Sequence, residues 1–394
     1  MITIKLSGKP VNVKEGSRVI DLLSQTEKKK YLVCRIGSQI KEMNYRLTER
    51  DNGRTIYLLG LKNKEAGKAY EATLRYLIAM AFHTLYPEVQ IRFSYNVSRS
   101  VFCEALTPGF NMFSAAERIK EEVARIIALD LPFERQTYTE DEAREIYHRE
   151  GYEDKIEMLA YRPENTVHLY KCGDYYNYMH SFMVASTGCI SQYTIVPYSP
   201  GLIIQYPRYE LGASIPEFVE ESTYGKVLQK AYQWSKKARI QTVAEINHRV
   251  EEGSILDFVQ MCEAKHSNML AELGENIEKE IDNIRLICIA GPSSSGKTTF
   301  CNRLRVELLS RGINPVMISM DDYYLGKEQI AAIQKKPVTD LDLEHINCLD
   351  IEQFNRDMFA LINHEEVTLP LFNFCTGKRE KGRTIRVDAH SPII

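Results

Sequence analysis

The sequence predicts a multidomain chain, α+β over its first half and α/β at its end. Three observations carry that expectation. The chain has 394 residues, more than one ordinary hydrophobic core holds. Residues 1–62 alternate apolar and polar side chains at period two, with turn residues between the runs. From residue 285, an apolar run, a glycine-rich loop and a helical pattern follow one another, as in a parallel-sheet unit.

Composition excludes several classes. Hydrophobic residues make up 44% and charged residues 26%, as in a globular protein. A net charge of −3 provides no general attraction for nucleic acid or membrane. No run of 18 apolar residues and no signal-peptide pattern occurs, so a cytoplasmic protein is expected. The nine cysteines are scattered and form no C-x-x-C pair, which points to reduced thiols instead of disulfides or a zinc ribbon.

In residues 1–62, Ile2, Ile4 and Leu6 and then Val11 and Val13 alternate about Ser7-Gly8-Lys9-Pro10, a hairpin pattern. Val19, Ile20, Leu22 and Leu23 predict a short helix capped by Ser17. Residues 31–36 and 55–59 predict further strands. The order ββαββ, with Val13-Lys14-Glu15-Gly16-Ser17 before the helix, resembles a TGS domain, a β-grasp module. That family occurs on proteins that handle tRNA, GTP or alarmone nucleotides, so the resemblance implies an RNA or nucleotide effector. A small α+β domain without a ligand is the plain alternative.

Residues 63–205 carry amphipathic helices at 71–85 and 113–129, a third opening at the cap candidate Thr139, and strands at 190–196 and 202–206. The 71–85 helix, which ends Leu85-Tyr86-Pro87, and the Lys171-Cys172-Gly173 segment resemble the second additional (editing) domain of threonyl-tRNA synthetase. That family's site uses H-x-x-x-H on this helix, a cysteine, and a histidine four residues after it. Here those positions hold Ala72, Tyr76, Cys172 and Tyr176. A hydrolytic or metal role is therefore not expected, because Cys172 alone makes no site. Tyr175, Tyr176 and Tyr178 with His168 and His180 fit either a base-stacking pocket or ordinary core and rim aromatics.

Residues 206–284 read as a helical connector, with helices at 224–238 and 242–250 and a long one from Ser254 to about 281. The apolar face of the last helix needs a partner, either the following domain or a second copy in a homo-oligomer.

The closing segment, 285–394, is the most informative. Gly291-Pro292-Ser293-Ser294-Ser295-Gly296-Lys297-Thr298 fits G-x-x-x-x-G-K-[ST], the phosphate-binding loop. It sits between an apolar run at 285–290 and a helix marked by Phe300, Leu304 and Leu308. Glycines let backbone N–H groups turn toward phosphate oxygens at the positive end of a helix. Lys297 adds a point charge, Thr298 offers a hydroxyl to Mg2+, and Thr299 continues the cradle. An apolar strand at 314–319 delivers Asp321 and Asp322 at its carboxyl end, where ligands bind in doubly wound sheets.

A phosphate loop followed by Met320-Asp321-Asp322-Tyr323-Tyr324, by residues 339–345 and by Leu369-Pro370-Leu371-Phe372 resembles the uridine kinase and phosphoribulokinase family over residues 285–394. The resemblance implies ATP and Mg2+ as cofactors and a nucleoside as acceptor. It makes Asp321 the acceptor of the proton from the sugar hydroxyl and a magnesium contact through water. Tyr324 stands beside the nucleoside, Glu344 aligns with a ribose-binding acid, and Arg379 matches a basic residue near the acceptor. Phe372 and Gly377 stand where uridine kinases place Tyr and His, which puts uridine itself in doubt. In that family, residues 391–394 begin a further core strand that leads to a magnesium-binding acid and a lid. The expectation is thus an ATP-dependent nucleoside kinase whose turnover depends on those parts. The alternative is a nucleotide- or RNA-sensing protein whose loop binds ATP or GTP without turnover. Threonyl-tRNA editing is disfavoured by Ala72, Tyr76 and Tyr176.

Overall fold

The computed structural model describes residues 1–292 and 294–394, with the backbone alone at Ser222 and Thr339. Contacts divide it into two units, Met1–Glu252 and Gly253–Ile394.

The first unit opens with the expected hairpin, β1 (Ile2–Leu6) and β2 (Lys9–Val13), in which Ile4 lies opposite Val11. The helix expected at 19–23 is instead one 3-10 turn, Val19–Leu22, preceded by Arg18 and not capped by Ser17. Helix α1 (Gln25–Lys30) begins later, because Ser24 and Glu27 form a reciprocal capping box that satisfies two free N–H groups. Strands β3 (Val33–Ile36), β4 (Gln39–Glu42) and β5 (Thr55–Leu59) complete a sheet of order β2-β1-β5-β3-β4. Within it β1 and β5 run parallel, and the other pairs are antiparallel. Strand β4 was not anticipated, since Ile40 is its only apolar residue; pairing with β3 makes it a strand.

Helix α2 (Lys64–Leu85) starts two turns before the expected 71, capped by Asn63. Its first turns bury Ala66, Ala69 and Tyr70, too small or too polar a set to show strong periodicity. Strands β6 (Ile91–Val97) and β7 (Ser100–Ala105) precede α3 (Met112–Ala128), whose cap Asn111 accepts from two backbone N–H groups. Next come β8 (Glu134–Thr139), α4 (Glu140–Arg149), α5 (Glu153–Leu159), β9 (Thr166–Cys172) and β10 (Tyr175–Asn177). Thr139 caps α4 as expected, in a capping box with Glu142. Strands β11 (Thr194–Tyr198) and β12 (Gly201–Gln205) pair with β7 and β6 in the order β11-β12-β7-β6, while β10-β9-β8 form a separate sheet. The strand expected at 190–196 thus begins only at Thr194, because a 3-10 turn occupies Thr187–Cys189.

One hydrophobic core runs from Ile2 and Ile4 through Tyr70 and Ile126 to Ile204 and Tyr206. The five-stranded sheet and the four-stranded sheet share it, so no break in packing occurs at residue 62. Helices α6 (Ser222–Ala238) and α7 (Val243–Glu251) end the unit.

The second unit begins with α8 (Ile255–Lys279), which packs on α9 (Lys297–Ser310). Leu270 and Ile277 meet Leu304, Leu308 and Ile313 in one buried cluster. Arg303 reaches Glu263 and Ser267, and Arg311 ties Glu278 to Glu307. The long helix therefore joins the following segment, as its apolar face demanded. Three segments form a parallel core through single bridges: Leu286 pairs with Ile393, and Ile393 with Val316. Residues 391–394 thus lie between 285–290 and 314–319, held by Ile287 N to Ile393 O at 2.8 Å and Ile318 N to Ile394 O at 2.9 Å. Helices α10 (Lys327–Gln334) and α11 (Ile351–Ile362) and the hairpin of β13 (Val367–Asn373) and β14 (Lys378–Ile385) complete it. A second buried cluster joins Tyr323, Met358, Leu361, Leu369 and Ile393.

Candidate phosphate-binding and acceptor site

The loop at 291–298 sits where the sequence put it, between a parallel core segment and the first turn of α9. Its two glycines play different parts. A Cβ on Gly291 would stand 2.7 Å from Ser295 Oγ and 3.3 Å from Lys297 Cγ, so those two side chains would have to turn away. Gly296, immediately before α9, has φ of +86°, a left-handed conformation that costs other residues ~1–2 kcal/mol. Lys297 Nζ donates to the carbonyls of Gly291 at 2.8 Å and Pro292 at 2.9 Å. The ammonium is thereby folded over the loop, in reach of any anion held there. Thr298 and Thr299 are exposed in the first turn of α9, as are Ser294 and Ser295 in the loop; Ser293 lies outside the described residues.

Asp321 follows the carboxyl end of segment 314–319, the same edge of the parallel core from which the loop springs. It lies in a 3-10 turn, Met320–Tyr323, that Ser319 caps through Asp321 N. Burial raises the Tyr324 phenol pKa, and the nearby Asp321 and Glu344 carboxylates push it further in the same direction. Both acids therefore lie near Tyr324. Its hydroxyl donates to Leu343 O at 3.0 Å, which holds the 339–345 segment beside it.

Tyr324 also meets Phe372 at 5.6 Å and Phe374 at 5.9 Å between ring centroids, and Phe372 meets Phe374 at 4.9 Å. Phe374 is 66% exposed, so this cluster presents a ring to solvent. Sequence reading missed Phe374, which lies in the turn just past the end of β13, where strand alternation gives no signal. Arg379 is placed close by but is committed to the protein. Its terminal nitrogens donate to Asp350 and Gln353 side chains and to the Tyr323 and Tyr324 carbonyls, at 2.9–3.2 Å. It fixes β14 to the Asp321 turn, and its distance from any acceptor is set by those bonds. Gly377 occupies the hairpin turn at φ of +65°.

In the first unit, three of the four positions of the editing motif are filled otherwise, by Ala72, Tyr76 and Tyr176, and Cys172 keeps the fourth. Tyr76 is fully buried, edge-on to Phe133 and Tyr175, and its single O–H is shared between the carbonyls of Tyr170 at 3.0 Å and Tyr175 at 2.9 Å. Burial pushes the Cys172 thiol up to about 12, far from a thiolate at neutral pH. Among the described residues no group of three His, Cys, Asp or Glu side chains could hold a metal. The aromatic set does not assemble into one pocket: Tyr175 is core, Tyr178 is exposed, and His168 hydrogen-bonds Thr137. Among the described residues no helix is long and apolar enough to cross a membrane.

No protein-family model matches the chain. Among curated proteins it is similar to threonine–tRNA ligases. It is 24% identical to that of Acetivibrio thermocellus over 166 residues, 42% of this chain and 26% of the ligase. It is 26% identical to that of Desulforamulus reducens over 197 residues, 47% of this chain and 30% of the ligase. It is also 26% identical to that of Clostridium tetani over 200 residues, 48% of this chain and 30% of the ligase. The chain thus spans less than a third of the length of these ligases. Among solved structures it is similar to a proposed fructose transport system kinase from Silicibacter sp. TM1040, at 24% identity and a TM-score of 0.27, covering 32% of this chain and 61% of that one. A score that low bears no argument about fold. The likeness to the ligases is what stands: the N-terminal half of the chain resembles the N-terminal, TGS and editing, region of threonyl-tRNA synthetase.

Proposed function

We propose that the chain acts as an ATP-dependent nucleoside kinase of the uridine kinase type, behind a β-grasp TGS module and a non-hydrolytic editing-like module. One observation carries the reading. A phosphate loop of demanding glycine geometry, the Asp321 carboxylate and the aromatic cluster of Tyr324, Phe372 and Phe374 all gather at the carboxyl edge of one parallel core. In the proposed reaction, loop amides and Lys297 hold the outer phosphates, Lys297 exchanging its two loop carbonyls for phosphate oxygens. Asp321 takes the proton of the nucleoside 5′-hydroxyl as its oxygen bonds to the γ-phosphorus. The bond from that phosphorus to the bridging oxygen breaks, and ADP leaves. The exposed Thr298 hydroxyl and Asp321 carboxylate are of the oxygen type that suits Mg2+. A bound Mg2+ would supply charge against the outer phosphates. The base of the acceptor would stack on Tyr324 and Phe374, with Glu344 toward the ribose.

Calorimetry with ATP and Mg2+ tests the first half. Lys297→Ala should weaken binding at least about tenfold, ~1.4 kcal/mol; an unchanged affinity removes the phosphate-loop reading. A phosphoryl-transfer screen over nucleosides tests the second half, and Asp321→Asn should abolish turnover while ATP still binds. A sensing protein that binds without turnover is the second reading. The commitment of Arg379 to four protein acceptors favours it, since that guanidinium is not free to stabilise transferring charge. No turnover with any nucleoside, together with tight ATP binding, would select it.

A further inference from the structure

A cavity of about 290 Å3 opens within the first unit. Its lining includes Ile40 from β4, Glu65 and Lys68 from α2, Arg135 from β8, Tyr170 from β9, and His180 and Phe182 from the loop after β10. Ala69 lines it too, one turn before Ala72 on the same helix face. The cavity thus lies along the face whose editing histidines are absent, and no hydrolytic or metal-binding set replaces them among the described residues.

Its chemistry is two-sided. Arg135 brings positive charge to the lining, and Lys68 brings a second cation whose charge the lining residue Glu65 offsets. Lys68 is paired with Glu65 at 3.0 Å. Arg135 makes no ion pair among the described residues and lies 5.6 Å from the Phe182 ring centroid. A planar guanidinium in that state is a two-pronged donor for an oxyanion. The remaining walls, Ile40, Tyr170 and Phe182, are apolar or aromatic and suit a flat body. The half-buried Glu42 accepts from Tyr170 OH; burial raises its carboxyl pKa, while the nearby Arg135 guanidinium draws it the other way. The volume sits at the lower bound of ligand pockets, ~300 Å3, room for one nucleotide and not for a strand.

We propose that this cavity binds a nucleoside monophosphate, its phosphate on Arg135 and Lys68 and its base against Phe182, Tyr170 and Ile40. Binding there is not followed by hydrolysis. It is independent of the kinase reading.

The test uses the full chain carrying Lys297→Ala, which silences the phosphate loop, titrated in a calorimeter with AMP, GMP, adenosine and inorganic phosphate. Saturable binding of AMP or GMP is expected, with adenosine and inorganic phosphate each at least about tenfold weaker. Adding Arg135→Ala should weaken the monophosphate about tenfold, and adding Phe182→Ala should weaken it as well. Arg135 is exposed, so its removal should leave the fold intact, to be checked by circular dichroism. The proposal is overturned if neither monophosphate binds saturably, if adenosine binds as well as AMP, or if both cavity variants bind as the parent does.

Discussion

At the scale of single residues, the structure assigns work to side chains whose types looked like losses. Tyr76 stands where the ligase family keeps a histidine, and its one O–H is shared by two carbonyls. Tyr76→Phe removes that shared donor and should cost roughly 1–3 kcal/mol in urea denaturation; no change would mean the hydroxyl adds nothing. Gly296→Ala puts a Cβ into a left-handed conformation, so a loss of ~1–2 kcal/mol is expected, along with weaker ATP binding in calorimetry. Lys155 supplies a pH prediction. Its ammonium stacks 3.5 Å above the Tyr152 ring and donates to Asn177, yet burial lowers its pKa to about 8. The unfolded chain, with an ordinary lysine pKa of ~10.4, therefore binds more protons between the two values. Stability should rise with pH from about 8 to about 10, and Lys155→Met should flatten that rise; parallel curves for parent and variant would refute the assignment.

At the scale of elements, local chemistry was legible wherever a cap or a period was strong. Thr139 and Glu142 marked the start of α4, and the apolar stripe of α3 marked its buried face. Thr139→Ala should cost ~1 kcal/mol, read by thermal unfolding. Elements held by partners instead of pattern were missed. Strands β6, β7, β8 and β9 pair with one another across loops and turns, and β4 exists because β3 lies beside it. The start of α2 was hidden because alanines fill its first buried turns. Helix α8 was legible as a helix, but its partner was not; Leu304 and Leu308 on α9 receive it. Leu304→Ala removes a fully buried side chain and should cost ~2–5 kcal/mol. Hydrogen exchange should then show α8 and α9 losing protection together, whereas loss confined to α9 would deny their shared packing.

At the scale of the whole molecule, the two units differ in how much core each owns. Among the described residues the first holds one large cluster besides two small ones, and the second holds two small ones alone, with Phe359 and Phe374 largely exposed. Amides after Gly253 should accordingly exchange before those of the first unit, and the reverse order would count against this account. The sequence by itself determined the phosphate loop, the Thr139 cap of α4, the hairpin of β1 and β2, and the absence of the editing histidines, because each rests on neighbours in the chain. Only the tertiary structure decided that residues 1–62 share a core with the segment after them, that residues 391–394 lie between two earlier segments, and that Phe374 joins Tyr324. It alone brought Arg135, Lys68 and Phe182 to one cavity. Those facts depend on pairings between residues far apart in the chain, and no local period or cap encodes which distant partner a strand edge or an apolar face will meet.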